Sequence, residues 1–176
     1  MEDSVKFLRQ KIRSINDFPK PGIIYRDITT LLQDAEAFER AIDLCSPYIS
    51  DDIHIIAGIE ARGFIIGSAL AQKYKKGFVP IRKKNKLPHD VFSEKYNLEY
   101  GTDELEIHQD AIQRNQNVLL VDDVLATGGT AEASIKLLAK LGAANLKMLF
   151  LIELTDLEGR VRLGNYSKKV DSIIKF

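Results

Sequence analysis

Two adjacent carboxylates, followed by a loop of small and hydroxyl-bearing residues, form the segment of this chain best suited to chemistry. Asp122 and Asp123 come directly after the apolar run 118–121, which predicts a buried strand. A tight loop follows two residues later, made of Ala126, Thr127, Gly128, Gly129 and Thr130. A helical pattern begins after this loop. Because open α/β sheets bind ligands at the carboxyl ends of their strands, we expect a ligand site here.

The loop suits a phosphate monoester, and the carboxylates suit a neighbouring diol. Adjacent glycines let backbone N–H groups approach an anion closely, and a helix N-terminus adds unpaired donors. Thr127 and Thr130 add hydroxyl donors. Asp122 and Asp123 would repel that phosphate, but they can accept hydrogen bonds from vicinal hydroxyls. Phosphate beside a diol describes a ribose 5-phosphate. The alternative is an ordinary turn in which a threonine caps the helix. P-loop nucleotide binding is excluded, because the chain has no Gly-Lys-Ser/Thr.

A second turn from strand to helix carries Arg62. The isoleucine-rich run 53–59 predicts a strand buried on both faces. The planar guanidinium of Arg62 suits phosphate oxygens, although a surface pair with Glu60 is an alternative. Arg82, Lys83 and Lys86 form a basic cluster in an otherwise neutral chain. That cluster indicates either a second anion site or a solvated face.

The elements that position these residues alternate between helix and strand. Helical periods are expected over 5–15, 35–48, 64–74 and 131–141, and strands over 53–59, 77–81, 118–121, 146–154 and 169–176. The segment 22–27 suits a short strand or extended loop, and 83–102 has no sustained period. The alternation predicts an α/β fold with a mainly parallel central sheet flanked by helices.

Composition limits the classes of protein that fit. The 176 residues are 45% hydrophobic, which predicts one domain over 1–176. Lys plus Arg and Asp plus Glu number 25 each, so the chain lacks the basic excess of nucleic-acid binders. No apolar run approaches the ~18 residues of a membrane span. The single cysteine, Cys45, is expected to be a buried small hydrophobe, and a reducing cytoplasm is the expected location.

Val121 to Thr130 resembles the signature with which type I phosphoribosyltransferases bind phosphoribosyl pyrophosphate (PRPP). The resemblance implies the type I phosphoribosyltransferase fold. It also implies that Asp122 and Asp123 bind the ribose hydroxyls, and that the loop from Ala126 to Thr130 holds the 5-phosphate.

The turn at 58–64 is similar to the pyrophosphate loop of adenine phosphoribosyltransferases, which contains a non-proline cis peptide bond. We expect that bond at Glu60–Ala61. The segment 82–88 resembles the basic stretch of the same family. The pyrophosphate-binding residues implied by these resemblances are Glu60, Ala61, Arg62, Arg82, Lys83 and Lys86.

Glu99-Tyr100-Gly101 resembles part of the family's flexible catalytic loop, placed here at about 83–103. The resemblance implies that Glu99 carries a proton near purine N7 and that Tyr100 closes over the site. With Arg62, Asp122 and Asp123, these two are the expected catalytic residues.

The segment 19–28 resembles the amino-terminal hood of the same family, placed at about 1–34. The resemblance implies that Ile24, Tyr25 and Arg26 contact the base. Tyr25 stands where Phe is usual, and Thr30 stands where Pro is common. Both departures bear on base choice and neither bears on PRPP binding.

The resemblance covers about residues 8–157 and implies a complete reaction. The 5-phosphoribosyl group of PRPP would pass to adenine, giving AMP and pyrophosphate. Mg²⁺ would be the cofactor, held mainly by PRPP and water, and the protein would be a homodimer. Two alternatives stay open: a phosphoribosyltransferase for another base such as xanthine, and a non-catalytic regulator that senses PRPP. The presence of Glu99, Arg62 and the lysines favours an enzyme.

Overall fold

The computed structural model describes residues 2–97, 101–166 and 169–176. The chain divides into two units, Met1–Ser46 and Pro47–Phe176. Among the described residues, no helix is long and apolar enough to cross a membrane.

The first unit contains three helices and a small hairpin within its described residues. These are α1 (Glu2–Lys11), β1 (Arg13–Asn16), β2 (Ile24–Asp27), α2 (Thr29–Leu32) and α3 (Ala35–Leu44). The predicted opening helix is too long: α1 ends at Lys11, and Ile15 lies in β1, opposite Tyr25 of the antiparallel strand β2. Ile15 fits a helical and an extended pattern equally well, so spacing alone did not separate them.

Cys45 follows α3 and has the predicted structural character. The side chain is buried, and this burial raises the pKa of its thiol to about 12. A thiol with so high a pKa stays protonated at neutral pH and is a poor nucleophile. The prediction of a small buried hydrophobe is confirmed.

The second unit is built on one sheet that carries two helices of twelve residues each. Its elements are β3 (Ile55–Ile59), α4 (Arg62–Lys73), β4 (Gly77–Lys83), β5 (Val91–Asn97), β6 (Thr102–His108), β7 (Val118–Leu125), α5 (Gly129–Lys140), β8 (Leu146–Glu153), α6 (Gly159–Leu163) and β9 (Val170–Lys175). In the described residues the sheet order is β5-β6-β4-β3-β7-β8-β9. Five neighbouring strands of this order run parallel to one another: β4, β3, β7, β8 and β9. Strand β6 is antiparallel to both of its neighbours, β4 and β5. The predicted α/β fold with a mainly parallel sheet is confirmed, as is the last edge strand.

Two predictions about strands need correction. The stretch 83–102 is not irregular, since β5 and β6 form an antiparallel hairpin across much of it. The strand predicted at 118–121 continues to Leu125 as β7 and therefore contains both Asp122 and Asp123. Strand β3 pairs with β7 as far as Val121, and β8 pairs with it on to Leu125, which keeps the carboxylates on rigid backbone.

An ion-pair network holds α6 and the segment after it against the first turn of α5. Glu132 accepts hydrogen bonds from the Tyr166 hydroxyl (2.7 Å) and the Arg162 guanidinium, and it pairs with Lys136 at 3.0 Å. The Tyr166 bond, together with these cations, lowers the pKa of Glu132 from 4.5 to about 2. A depressed carboxyl pKa stabilises the fold above the unfolded pKa, and the contribution is lost as the pH falls through the folded value.

We expect Glu132→Gln to lower the free energy of unfolding by about 1–3 kcal/mol at pH 7. This range lies below the full value implied by the pKa shift, because Arg162 and Lys136 are partly exposed and solvent screens their charges. The difference from the unmutated chain should shrink between pH 4.5 and pH 2. Urea unfolding at pH 7 and pH 3 measures it. Glu36→Gln breaks the exposed ion pair with Arg40 and serves as the control. We expect it to lower the free energy of unfolding by less than about 0.5 kcal/mol. Equal losses at both pH values would contradict the assignment.

Candidate active site

The carboxylate pair and Arg62 meet at the carboxyl ends of two adjacent parallel strands. Asp123 lies in β7 with its side chain only 6% exposed, and Arg62 is the first residue of α4, just after β3. The Nε of Arg62 donates a hydrogen bond to Oδ2 of Asp123. The surface pair of Arg62 with Glu60, considered as an alternative, is not what forms. The two segments singled out in the sequence therefore build one site.

A close approach of α4 to β7 brings these segments together. A Cβ atom at Gly63 would lie 2.8 Å from the carbonyl oxygen of Val121 and 2.9 Å from Oδ1 of Asp122. Only a residue without a side chain fits there unless the backbone shifts. Gly63 thus sets the distance between the start of α4 and the carboxylate pair.

The environment of Asp122 favours its protonated form. The side chain keeps some contact with solvent, but protein atoms surround the carboxyl group, and this burial raises its pKa well above the usual value. The charge of Asp123 raises it further, and Arg62 opposes both effects. Oδ1 of Asp122 accepts the backbone N–H of Asp123 at 2.9 Å. Asp122 therefore retains a proton more strongly than a free aspartate would.

The loop after β7 leaves the N-terminus of α5 open to an anion. The loop from Ala126 to Thr130 lines a cavity of about 70 Å³, together with Asp122. Gly128 is the residue before the helix and has φ +79°, a conformation that glycine adopts readily. No side chain of the described residues caps α5 there. The first N–H groups of a helix have no internal partner, so they are available to a ligand. The alternative of a threonine cap is wrong.

Helix α6 supports the same loop from behind. A Cβ atom at Gly159 would lie only 2.1 Å from the carbonyl oxygen of Ala126. Arg160, the next residue, makes a two-pronged ion pair with the buried Glu153 and also donates to the carbonyl of Val170. The position of the loop is therefore tied to that of α6 and, through Arg160, to β8 and β9.

The chain matches the family model for the phosphoribosyl transferase domain over residues 28–176. It is 55% identical over 170 residues to the adenine phosphoribosyltransferase of Methylobacterium radiotolerans. The match covers 96% of this chain and 94% of that protein. The chain belongs to the adenine phosphoribosyltransferase family.

Solved structures of this family have the same fold. The adenine phosphoribosyltransferase of Rhodothermus marinus superposes with a TM-score of 0.93 at 46% identity, covering 100% of both chains. The Saccharomyces cerevisiae enzyme was solved with adenine and D-2,5-dideoxy-2,5-imino-altritol 1,6-bisphosphate. It superposes with a TM-score of 0.91 at 34% identity. That match covers 99% of this chain and 100% of that one.

Glu60 organises the basic segment expected from the family resemblance. The Glu60–Ala61 peptide bond is cis, which confirms the prediction. The Glu60 carboxylate accepts a hydrogen bond from Nε of Arg82 at 3.2 Å and another from the backbone N–H of Lys83 at 2.9 Å. Arg82 also donates to the carbonyl of Lys86 at 3.0 Å. Burial works against ionisation, but these donors hold the pKa of Glu60 below its usual value. Glu60 therefore fixes the segment that carries Lys83 and Lys86.

The remaining residues expected from the family resemblance belong to the undescribed segment 98–100 or to the first unit. Glu99 and Tyr100 lie outside the described residues. Ile24, Tyr25 and Arg26 lie on β2 in the first unit. The ring of Tyr25 packs edge-on against Phe18 with centroids 5.3 Å apart, and Ile24 is half exposed.

Sequence reasoning missed two residues in this region, Tyr96 and Asp103. They are opposite each other in the β5–β6 hairpin, and the Tyr96 hydroxyl donates to the Asp103 carboxylate at 3.2 Å. Lys83 also pairs with that carboxylate, at 3.1 Å. Recognising the hairpin was the step that could have found them, because it makes Tyr96 and Asp103 partners.

Proposed function

We propose that this chain transfers the 5-phosphoribosyl group of PRPP to adenine, giving AMP and pyrophosphate. The observation that carries the proposal is the junction of the Asp122–Asp123 pair, the open loop before α5 and Arg62 in one site. Adenine as the base is supported by the family and by the yeast relative solved with adenine.

The chemistry follows from where charge develops. As the C1–oxygen bond to pyrophosphate breaks and a bond from C1 to the base nitrogen forms, positive charge spreads over C1 and the ring oxygen, and negative charge grows on the leaving group. An enzyme gains most by stabilising charge where it develops. Asp122 and Asp123 would hold the ribose hydroxyls beside that cation. Arg62 and Lys83 would face the leaving pyrophosphate, and Glu99 would carry the purine proton.

The loop from Ala126 to Thr130 would hold the 5-phosphate and so fix the sugar. Its glycine backbone and the open start of α5 supply N–H donors to phosphate oxygens. Ile24, Tyr25 and Arg26 would contact the base. Holding both substrates together removes orientational entropy from the reaction.

Magnesium fits this site as a partner of PRPP. Mg²⁺ prefers oxygen ligands and usually binds through one or two carboxylates, substrate phosphates and water. In the ranges that the structure describes, no group of three or more ligating side chains forms. Asp122 and Asp123 offer oxygen atoms of the right kind, so PRPP and water would supply the other ligands. When bound, the ion neutralises charge on the pyrophosphate oxygens. A homodimer, which rests on the family resemblance, and a cytoplasmic location, which rests on the single buried cysteine, are parts of the same proposal.

A substrate panel tests the proposal. Purified protein is incubated with PRPP and Mg²⁺ and with adenine, hypoxanthine, guanine or xanthine, with and without EDTA. We expect AMP from adenine, a preference of about 100-fold or more over the other bases, and no product with EDTA. A product from another base in preference to adenine would move the assignment of the base. No product, with PRPP still bound, would indicate a regulator.

A further inference from the structure

A row of polar contacts joins the basic segment to the β5–β6 hairpin. The row begins at Lys83, whose ammonium lies 3.1 Å from Oδ2 of Asp103. The same oxygen accepts the Tyr96 hydroxyl at 3.2 Å, and the other carboxylate oxygen accepts the backbone N–H of Glu104 at 2.8 Å. Asp103 is therefore a shared acceptor for one residue of the basic segment and one residue of the hairpin.

Tyr96 is the hairpin end of this row. Its side chain is 8% exposed, and it lines a small cavity together with Gly129 at the start of α5. Burial raises the pKa of Tyr96, so it remains a neutral phenol at physiological pH. The hydroxyl thus donates its proton to the Asp103 carboxylate without adding charge to the row.

Asp103 stays ionised in this setting. Burial works against its charge, but the Glu104 N–H and the Lys83 ammonium hold its pKa below the usual value. A charged acceptor makes stronger hydrogen bonds than a neutral one. The carboxylate can therefore restrain both the flexible Lys83 side chain, which is 57% exposed, and the phenol of Tyr96.

We propose that Asp103 is a positioning residue that acts through Lys83 at the pyrophosphate side, and that Tyr96 supports it by donating a hydrogen bond to the same carboxylate oxygen. The proposal rests on the function proposed above. The row holds the Lys83 ammonium where it would face the leaving pyrophosphate.

Double-mutant cycles test whether Asp103 acts through Lys83. We expect Asp103→Asn to raise the KM for PRPP by about 5- to 20-fold with kcat changed by less than about twofold. In a Lys83→Met background the same change should add less than about twofold. Glu104→Gln is the matched control: it neutralises the adjacent residue of β6 and breaks the ion pair with Lys84. We expect its KM to stay within about twofold.

Binding of pyrophosphate, measured by calorimetry without turnover, tests the same role independently of the reaction. Asp103→Asn should weaken this binding by about threefold or more, and by less than about twofold in a Lys83→Met background. Tyr96→Phe should weaken it by a smaller factor, with less than about twofold further effect in an Asp103→Asn background. Equal effects of Asp103→Asn with and without Lys83 would overturn the proposal. So would an effect of Glu104→Gln as large as that of Asp103→Asn. If the unmutated chain forms no AMP but the pyrophosphate-binding cycle holds, the proposed function fails and the positioning role stands.

Discussion

Asp123→Asn is expected to lower kcat/KM by on the order of 10²- to 10³-fold while leaving the fold intact. The mutation removes the charge that Arg62 binds, and it removes an acceptor for a ribose hydroxyl. Because the side chain is only 6% exposed, little water can replace the lost group. Steady-state formation of AMP measures the loss, with circular dichroism and thermal unfolding to confirm folding. Normal turnover in a folded variant would rule out the role of Asp123.

Asp122→Asn is the matched comparison, because it changes the same group one residue away. Burial and the charge of Asp123 already favour the protonated form of Asp122, and an amide resembles a protonated carboxyl more closely than a charged one. We expect a loss of about 10-fold, well below that of Asp123→Asn. A raised carboxyl pKa destabilises the fold above the unfolded pKa, so this variant should melt at a higher temperature at pH 7. Equal losses of activity in both variants would contradict the asymmetry of the pair.

Gly159→Ala is expected to raise the KM for PRPP by about 10- to 100-fold, the second large effect. The added Cβ would lie 2.1 Å from the Ala126 carbonyl oxygen and 2.9 Å from a methyl group of Leu125. Hydrogen bonds hold the Arg160 guanidinium to Glu153 and Val170, so α6 resists displacement. We therefore expect the loop from Ala126 to Thr130 to move instead. Calorimetry with ribose 5-phosphate should detect weaker binding by a similar factor.

Gly164→Ala provides the control at the other end of α6. A Cβ atom there would lie 3.3 Å from the Val161 carbonyl oxygen, a contact that small shifts relieve, and Gly164 has an ordinary helical φ of −56°. We expect its KM for PRPP to remain within about twofold of the unmutated chain. If Gly159→Ala also leaves ribose 5-phosphate binding unchanged, α6 does not position the loop.

Much of the site could be predicted because its signals are local in the sequence. The apolar run before Asp122, the paired glycines and the following helix occupy consecutive positions, so strand, loop and helix could be placed without knowing the rest of the fold. Contact between Arg62 and Asp123 was not local. It requires β3 and β7 to be neighbours, which the sequence does not specify.

The β5–β6 hairpin was missed because its burial does not alternate. Leu105, Glu106 and Ile107 are buried in succession, and the buried Glu106 carboxylate accepts the backbone N–H of Asn85 at 2.9 Å. A charged residue between two apolar ones looks like a solvated strand or a loop. Without the hairpin there was no basis for bringing Tyr96 to Asp103. The contact of Gly159 with the loop likewise depends on where α6 packs.

A crystal structure of the protein with PRPP and Mg²⁺ tests the central claim most directly. The account predicts that the 5-phosphate lies in the loop from Ala126 to Thr130, that the ribose hydroxyls bind Asp122 and Asp123, and that the pyrophosphate lies beside Arg62. A ribose bound away from the two aspartates, or a 5-phosphate outside that loop, would contradict it.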